Sequence, residues 1–479
     1  GQRRRRRPTA CIAASVVEEV GGDGTLNSRV ALSLISSGTS AVGVSLVAMV
    51  SSCAFFARRS ANSLVITPAM SVGEFLERLE QGGVVLNVAT LIPHGPVRIS
   101  AMGLRQGAPT EAELEAMGRS IDEGLRAGAF GLSSGLLYAP GSFATAEEVI
   151  ELAKVVKPYG GIYISHMRNE ALGLIDSVEE TIRIGEEAGI PSQLTHHKAM
   201  GRPMWGRSSE SLALVDAANA RGVDVTIDQY PYPASSTGLR AVFPRWSLDG
   251  GGPALRARLD DPEQRARVKE GILYALVNER GGNDPSRVHL AQCGFDPALN
   301  GLNLEDVLLQ RELAVTIENA AELIMDFEYA GGCQCVYHAM SMQDVDAIMV
   351  HPKTMIASDG GIMAPGDNSP HPRNYGAFAR VLGEFVRERG LLPLSTAIHK
   401  MTAMPADRIN IGDRGRIEVG AFADIVVFDP DEIIDTATFE EPHQYALGVH
   451  HVFVNGEAVL LDNTMTGKRP GRVLRATDT

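Results

Sequence analysis

From about residue 66 onward, apolar and polar positions alternate with two different periods, and these periods predict an ordered series of strands and helices. Short β-rich runs lie at 84–91, 130–134, 161–165, 192–195, 223–228 and 354–358. Amphipathic stretches lie between them, at 71–79, 111–127, 146–156, 177–188, 209–220 and 377–388. In the fourth of these stretches, Val178, Ile182 and Ile184 fall on one side, as expected for a helix that covers a sheet.

Alternating strands and helices predict an α/β fold with a parallel sheet and right-handed crossovers. A closed barrel and an open doubly wound sheet both satisfy this pattern. No Gly-rich phosphate-binding fingerprint follows a strand, which disfavours a dinucleotide-binding fold. After residue 228 the alternation of strand and helix patterns becomes irregular, so we expect a long insertion at about 240–350. From residue 413, alternating apolar residues with Gly and Asn-Gly predict a small antiparallel β unit.

The first 66 residues have a different character. Arg3 to Arg7 form a run of arginines, and no charged residue occurs from Val30 to Ala57. The most apolar part, residues 41–57, is at the lower limit of what spans a bilayer, and it lies far from the arginines that would precede a signal sequence. We therefore expect an atypical N-terminal segment at 1–66 rather than a membrane anchor. The barrel is expected at 67–405 and the C-terminal β unit at 406–479.

Composition narrows the classes of partner. The formal net charge of −14 disfavours nucleic acid, because an acidic surface repels phosphate backbones. The five cysteines are odd in number and scattered, so we expect no disulfide framework and a reducing, cytoplasmic location. Cys333 and Cys335 are expected to be core or loop thiols, because a zinc knuckle normally has a wider spacing.

Three predicted strand ends carry residues suited to metal chemistry. His166 follows the strand in ISHMRNE, His196 follows the strand in LTHHK, and Asp359 follows the strand in IASDG. In an α/β barrel the carboxyl ends of the strands face a common mouth. Two neutral imidazoles there suit Zn²⁺, and a carboxylate nearby can accept a proton from water activated by the ion. His197 is expected to point away from the mouth, because successive strand residues face opposite sides.

Other polar side chains near the same strand ends are typical of substrate binding. Arg373 offers a planar fork of donors that suits a carboxylate, and Lys198 could be a second cation. The two cations predict an anionic small-molecule substrate such as an amino-acid derivative. The remaining candidates are Tyr138, Asp228, Tyr230, Tyr232 and Ser235 or Ser236.

The motifs ISHMRNE, LTHHKAMGRPMWG, DQYPYPASST, ASDG and HPRNYGAFARVLGEFVRERGLL occur in this order, followed by KMTAMPADRINIGDRGRIEVGAFADIVVFDP. Together they resemble the D-aminoacylase, or N-acyl-D-amino-acid deacylase, branch of the amidohydrolase superfamily over about residues 66–475. The resemblance implies a (β/α)₈ barrel with a small β-sandwich. It also implies hydrolysis of N-acyl-D-amino acids with one or two zinc ions.

Carried over by motif, the resemblance makes His166 and His196 zinc ligands and Asp359 the general base and acid. It places Lys198, Tyr138, Tyr230, Ser235 or Ser236, and Arg373 at substrate-binding positions, with Arg373 on the α-carboxylate. The chain departs from the family before residue 66: no histidine precedes His94, so the first-strand His-x-His or His-x-Asp motif is missing. The family's metal-binding cysteine has a candidate in Cys53, although its flanking residues differ.

Two alternatives remain open from the sequence. The first is a catalytically impaired amidohydrolase remnant whose barrel is incomplete at the N-terminus. The second is a cyclic-amide hydrolase of the dihydroorotase or hydantoinase type. The second is disfavoured because the stretch FGLSSGLLYAP has no lysine where those enzymes carry a metal-bridging one.

Overall fold

The computed structural model describes residues 70–478 in full and, before them, only the backbone of four short strands. The strands, in chain order, are β1 (Ala41–Gly43), β2 (Val47–Ser51), β3 (Ala57–Ser60), β4 (Ser63–Ile66), β5 (Asn87–Pro93), β6 (Gly131–Gly135), β7 (Ile162–His166), β8 (Ser192–Leu194), β9 (Val225–Gln229), β10 (Ser235–Gly238), β11 (Val288–Cys293), β12 (Cys333–Tyr337), β13 (Thr354–Ile356), β14 (Ile425–Phe428), β15 (Val449–Val454), β16 (Glu457–Leu461) and β17 (Thr464–Met465).

The helices are distributed along the whole described chain. They are α1 (Val72–Gly82), α2 (His94–Met102), α3 (Glu111–Arg126), α4 (Ala146–Lys154), α5 (Leu174–Ala188), α6 (Ser208–Ala220), α7 (Gly251–Asp260), α8 (Pro262–Ala275), α9 (Leu304–Gln310), α10 (Ile317–Ala330), α11 (Met342–Val350), α12 (Arg373–Arg380), α13 (Leu394–Met401) and α14 (Ala403–Arg408). Two of them, α8 and α12, continue into π-helical segments at Leu276–Arg280 and Val381–Glu388.

The largest sheet is parallel and has the order β2-β5-β6-β7-β8-β9-β13. Helices follow its strands and bury apolar faces against them. In α5, Val178, Ile182 and Ile184 are buried as the sequence pattern predicts. The expected α/β barrel class is confirmed. Within the described part of the chain, β2 and β13 each pair on one side only, so the sheet is a curled, open arc of seven strands rather than a closed barrel of eight.

All six predicted strands and all six predicted helices are present, with their ends shifted by a few residues. The structure adds α2, which begins directly after β5 and was not predicted. Its sequence, HGPVRISAM, carries Gly95 and Pro96 in the first turn, where proline is tolerated but the helical pattern is weak. Helices α1 and α3 begin with reciprocal side-chain caps, Ser71 with Glu74 and Thr110 with Glu113.

Between β9 and β13 the chain builds the expected insertion. Its core is a three-stranded antiparallel sheet of order β10-β12-β11, covered by α7 to α10. Cys293 and Cys333 form a disulfide that links β11 to β12, while Cys335 is a buried free thiol. The prediction that Cys333 is an unpaired thiol was therefore wrong. The two cysteines are far apart in sequence, and only the antiparallel register of β11 and β12 brings them opposite one another. The sequence spacing alone therefore gave no sign of the pair. The cysteine pattern thus gives no support for a reducing compartment.

The C-terminal β unit is an antiparallel sheet of order β1-β14-β15-β16-β17. Asn455 and Gly456 form the tight turn between β15 and β16, both with positive φ, at 50° and 83°. This is the turn that the Asn-Gly pair predicts. A buried polar network joins the unit to the parallel sheet: the side chain of Asn87 on β5 donates to Asp424 (2.9 Å) and accepts from Asn455 (2.8 Å).

No helix in residues 70–478 combines the length and the apolarity needed to cross a bilayer. Within the apolar stretch at 41–57, the structure describes only the backbone of β1, of β2 and of the first residue of β3. The domain boundaries expected at 66/67 and 405/406 stay predictions.

Candidate active site

The carboxyl ends of the parallel strands bring the candidate residues together. His166 is the last residue of β7, His196 comes two residues after β8, and Asp359 three residues after β13. Two of these residues have positive φ, His196 at 40° and Asp359 at 48°. Such backbone conformations are costly for residues other than glycine and cluster at functional sites.

Two imidazoles and one carboxylate form the tightest cluster. The Nδ1 atom of His166 lies 2.8 Å from Nε2 of His196, and Nδ1 of His196 lies 3.1 Å from Oε1 of Glu170. One ligand atom from each of the three residues lies within 4.8 Å of the others, a separation at which they could hold a metal ion. Among the described residues, Nε2 of His166 has no hydrogen-bond partner although it is buried.

Glu170 is the member of this cluster that the sequence prediction missed. It lies in the loop after β7, four residues beyond His166, within the quoted motif ISHMRNE. Loop residues have no periodicity that assigns them a face, so the residue type was the only signal available. That signal is a carboxylate residue four positions after a candidate metal histidine.

Lys198 neutralises Glu170. Its ammonium donates to Oε1 of Glu170 at 2.5 Å and lies 2.8 Å from Nδ1 of His196. Burial alone would raise the pKa of Glu170, but Lys198 and the two histidines outweigh this effect and hold the pKa well below its usual value. Burial lowers the pKa of His166 to about 3, so its imidazole is neutral and available as a ligand.

Asp228 supports the backbone at His196. Its Oδ1 accepts from the backbone N–H of His196 at 2.7 Å and from the hydroxyl of Thr195 at 3.1 Å. Its Oδ2 accepts from the side chain of Gln193 at 2.5 Å. The sequence predicts a substrate-binding role for Asp228, whereas these three bonds show that its carboxylate fixes the end of β8 and the loop that carries His196.

Asp359 and Arg373 form an ion pair of 2.8 Å beside the cluster. The Arg373 side chain is 8% exposed and that of Asp359 is 37% exposed, so solvent reaches the carboxylate. Burial opposes ionisation of Asp359, but Arg373, followed by His196 and Lys198, keeps its pKa below the usual value. The guanidinium of Arg373 and the ammonium of Lys198 lie 4.7 Å and 5.6 Å from the ring centroid of Tyr230.

The remaining candidates are placed as follows. The Tyr138 ring centroid lies 4.7 Å from that of His166, and its hydroxyl lies 3.0 Å from the hydroxyl of Thr237. Ser235 is buried, whereas Ser236 lines a cavity of about 230 Å³ that also contains Asp359 and Arg373. The structure thus favours Ser236 over Ser235 as the serine that faces the site.

Two other sequence candidates, His197 and Tyr232, make contacts outside this cluster. His197 is buried on the opposite side of the strand end, 2.8 Å from the hydroxyl of Ser211 on α6, as its position after His196 predicts. The hydroxyl of Tyr232 donates to Asp435 of the C-terminal part at 3.3 Å. Cys53 lies outside the described residues, so its role as a metal ligand stays a prediction.

Comparison with known proteins gives consistent matches. A model described as "Amidohydrolase family" matches residues 317–460. The chain is 37% identical to a D-aminoacylase of Alcaligenes xylosoxydans xylosoxydans over 84% of its own length and 73% of that protein. It is 38% identical to an N-acyl-D-glutamate deacylase of the same organism, over 83% of this chain and 71% of that protein.

A solved structure shows the same architecture. The N-acyl-D-glutamate deacylase from Bordetella bronchiseptica, complexed with zinc and with a phosphonate inhibitor that mimics the tetrahedral intermediate of the reaction, superposes with a TM-score of 0.72. The two are 34% identical, and the match covers 90% of this chain and 82% of the other.

Proposed function

The chain belongs to the D-aminoacylase family of amidohydrolases, and from this premise we propose that it is a zinc-dependent deacylase of N-acyl-D-amino acids. The reaction adds water across the amide bond and releases a carboxylate and a free D-amino acid. The observation that carries the proposal is the convergence of His166, His196 and Glu170 beside the Asp359–Arg373 pair.

The donor set fits a zinc ion. Two imidazoles and a carboxylate are ligands that Zn²⁺ prefers, and their donor atoms lie close together. The buried Nε2 of His166, which lacks a partner among the described residues, is a nitrogen that a metal would satisfy. His166 and His196 would hold the ion, with Glu170 in reach and Cys53 as a further candidate. When bound, zinc supplies Lewis-acid polarisation and lowers the pKa of water.

Asp359 is the proton carrier of the proposed reaction. As a carboxylate held ionised by Arg373, it accepts a proton from the water molecule whose oxygen attacks the amide carbonyl carbon. It then delivers that proton to the amide nitrogen as the C–N bond breaks, so the leaving amine departs neutral. The same residue thus acts first as base and then as acid, and it is ionised again once the amine has received the proton. The carboxylic acid product then loses its own proton to solvent.

Arg373 and Lys198 provide the charge that an N-acyl amino acid requires. Arg373 spends one N–H on Asp359, and its remaining donors are available to the substrate α-carboxylate. The ammonium of Lys198 also lies near the Tyr230 ring, 5.6 Å from its centroid, and the guanidinium of Arg373 lies 4.7 Å from it. A substrate carboxylate bound beside Tyr230 would therefore be close to two cations, which would orient the amide bond toward His166 and His196.

The test is turnover by the purified chain supplied with zinc. N-acetyl-D-methionine and N-acetyl-D-glutamate should release free amino acid, while their L enantiomers should react at least about a hundredfold more slowly, because the anchored carboxylate directs the L amide away from Asp359. Equal rates for the two enantiomers, or no turnover of either D substrate, would contradict the proposal. No turnover is the result that the alternative of a catalytically impaired remnant predicts.

A further inference from the structure

A second, much larger cavity opens beside the site. It has a volume of about 1070 Å³ and lies between the mouth of the sheet and the insertion. Its lining is mostly apolar and includes Leu137, Val242, Phe243, Pro244, Leu248 and Tyr274. Four charged side chains also line it: Arg240, Arg245, Arg256 and Glu279. Arg240 pairs with Glu328 at 2.6 Å, Arg245 donates to the carbonyl of Arg168 at 3.0 Å, and Glu279 accepts from Asn169 at 3.4 Å. The apolar part of the lining suits an uncharged apolar group.

Tyr138 connects this cavity to the candidate metal ligands. It lines the cavity, and its ring contacts that of His166. Asn169, which directly precedes Glu170, also lines the cavity. The cavity thus meets the site on its His166 side.

The groups proposed to bind the amino acid line none of this cavity. Arg373 and Asp359 line the separate cavity of about 230 Å³, and Lys198 connects them to His196 through Tyr230. The contacts therefore run in order from the large cavity through Tyr138 and the two histidines to the cationic side. The groups of a substrate amide have the same linear order, because its acyl chain and its amino-acid part are attached on opposite sides of the carbonyl carbon.

We propose that the larger cavity binds the acyl group of the substrate and that the chain prefers long, unbranched aliphatic acyl chains over acetyl. The inference rests on the proposed deacylase function and names its substrate class. The cavity volume of about 1070 Å³ is at the upper end of the range for sites that hold whole drug-sized ligands. The methyl group of an acetyl substrate would fill only a small part of it. Each methylene that enters such an apolar cavity favours binding about fourfold.

The first experiment compares N-acetyl-, N-butanoyl-, N-hexanoyl- and N-octanoyl-D-methionine. We expect kcat/KM to increase about fourfold for each added methylene until the cavity is filled. A series that stays flat, or that declines beyond acetyl, would overturn the inference while leaving the deacylase function intact.

A variant pair locates the effect in the cavity. Gly252 lines the cavity in the first turn of α7, and a Cβ there would meet only the flexible tip of Arg240, at 3.4 Å. Gly252→Trp should narrow the cavity and lower the octanoyl-to-acetyl ratio of kcat/KM at least tenfold. The control is Ala257→Trp on the exposed side of the same helix, which should keep the wild-type ratio. Equal ratios in the two variants would place the acyl chain elsewhere.

Equilibrium binding separates the two proposals. If no member of the series is hydrolysed, the proposed function fails, and calorimetric titration of the zinc-supplied protein with the same four compounds still tests the cavity. Tighter binding of the octanoyl than of the acetyl compound, abolished by Gly252→Trp, would support the acyl cavity. Equal affinities would overturn it.

Discussion

Glu170 joins the candidate metal ligands to the buried cation of the site. It accepts from Lys198 at 2.5 Å and lies 3.1 Å from Nδ1 of His196, and all three side chains are buried. A carboxylate bonded to a metal-binding histidine fixes the orientation of the ring and strengthens it as a ligand. In the proposed metal site, Glu170 would therefore support zinc binding either as a ligand of the ion or by holding His196.

Glu170→Gln should lower the affinity for zinc about 10- to 100-fold, because the amide keeps the shape of the side chain but removes its charge. The variant also leaves Lys198 as an unpaired buried cation, so its unfolding temperature should fall. Competitive zinc titration with a chromophoric chelator measures the first effect. The control is Glu210→Gln, which removes an exposed partner of Arg207 on α6. An unchanged zinc affinity in Glu170→Gln would show that Glu170 has no part in the metal site.

Asp359→Asn tests the proton carrier. Asparagine tolerates the positive φ of 48° at this position, so the backbone should persist. We expect kcat to fall about 10²- to 10⁴-fold, the usual contribution of a positioned acid and base. Zinc content, measured by elemental analysis, should stay at the wild-type level. A variant that keeps wild-type kcat would remove Asp359 from the proposed mechanism.

For individual residues, the sequence allowed a functional role to be predicted where the residue follows the end of a strand. His166, His196 and Asp359 could be predicted because strand periodicity ends at them and the barrel architecture then places them at one mouth. Glu170 could not, because it lies in a loop. The Cys293–Cys333 pair could not either, because its geometry exists only after β11 and β12 are paired.

At the level of elements, the backbones of β6 and β7 pack very closely at Gly131, on the pair of strands that carries His166. Gly131 begins β6 with φ of 154°, and a Cβ at this residue would lie 2.0 Å from the carbonyl oxygen of Ile162 on β7. The backbone cannot move aside without breaking the parallel pairing that carries His166. Glycine is therefore required here by packing as well as by conformation.

Gly131→Ala should lower the free energy of unfolding by about 3–5 kcal/mol, in the range of severe core substitutions. The matched control is Gly95→Ala in α2, where a Cβ meets nothing within 4 Å. Chemical denaturation of both variants, followed by circular dichroism, measures the difference. If the two variants were equally stable, the close packing of β6 against β7 would be contradicted.

The disulfide is the covalent feature of the insertion. Cys293 and Cys333 are 40 residues apart, and the loop that they close contains α9 and α10. Replacing both with serine should lower the free energy of unfolding by about 2–4 kcal/mol, because the unfolded chain gains freedom. Cys335→Ser removes the neighbouring free thiol and is the matched control for a buried serine on β12. A double variant no less stable than this control would contradict the crosslink.

The elements themselves were largely predictable, for identifiable reasons. The six predicted strands are short, mostly buried runs between amphipathic stretches. The Asn-Gly turn between β15 and β16 follows from residue type alone. Helix α2 was missed because Gly95 and Pro96 obscure its periodicity. The three-stranded sheet of the insertion was missed as well, because its strands are short and far apart in sequence.

For the whole molecule, the parallel sheet, the insertion and the C-terminal sheet each contribute to one site or its support. The parallel sheet supplies His166, His196 and Asp359, and the insertion encloses the large cavity beside them. The C-terminal sheet is joined to β5 by the buried bonds of Asn87. The family resemblance predicted the barrel and the small β domain. The missing first-strand motif left a barrel incomplete at the N-terminus as an alternative, and the described parallel sheet is an open arc of seven strands.

Metal-dependent turnover tests the central claim most directly. The purified chain is stripped of metal with a chelator, and zinc is then returned stepwise while hydrolysis of N-acetyl-D-methionine is measured. The same experiment is done with the double variant His166→Asn, His196→Asn. The control is His443→Asn, because His443 lies outside the cluster. Activity should vanish on stripping, return with zinc in the wild type and the control, and stay absent in the double variant. Turnover that survives without metal, or that zinc restores equally in the double variant, would contradict the account.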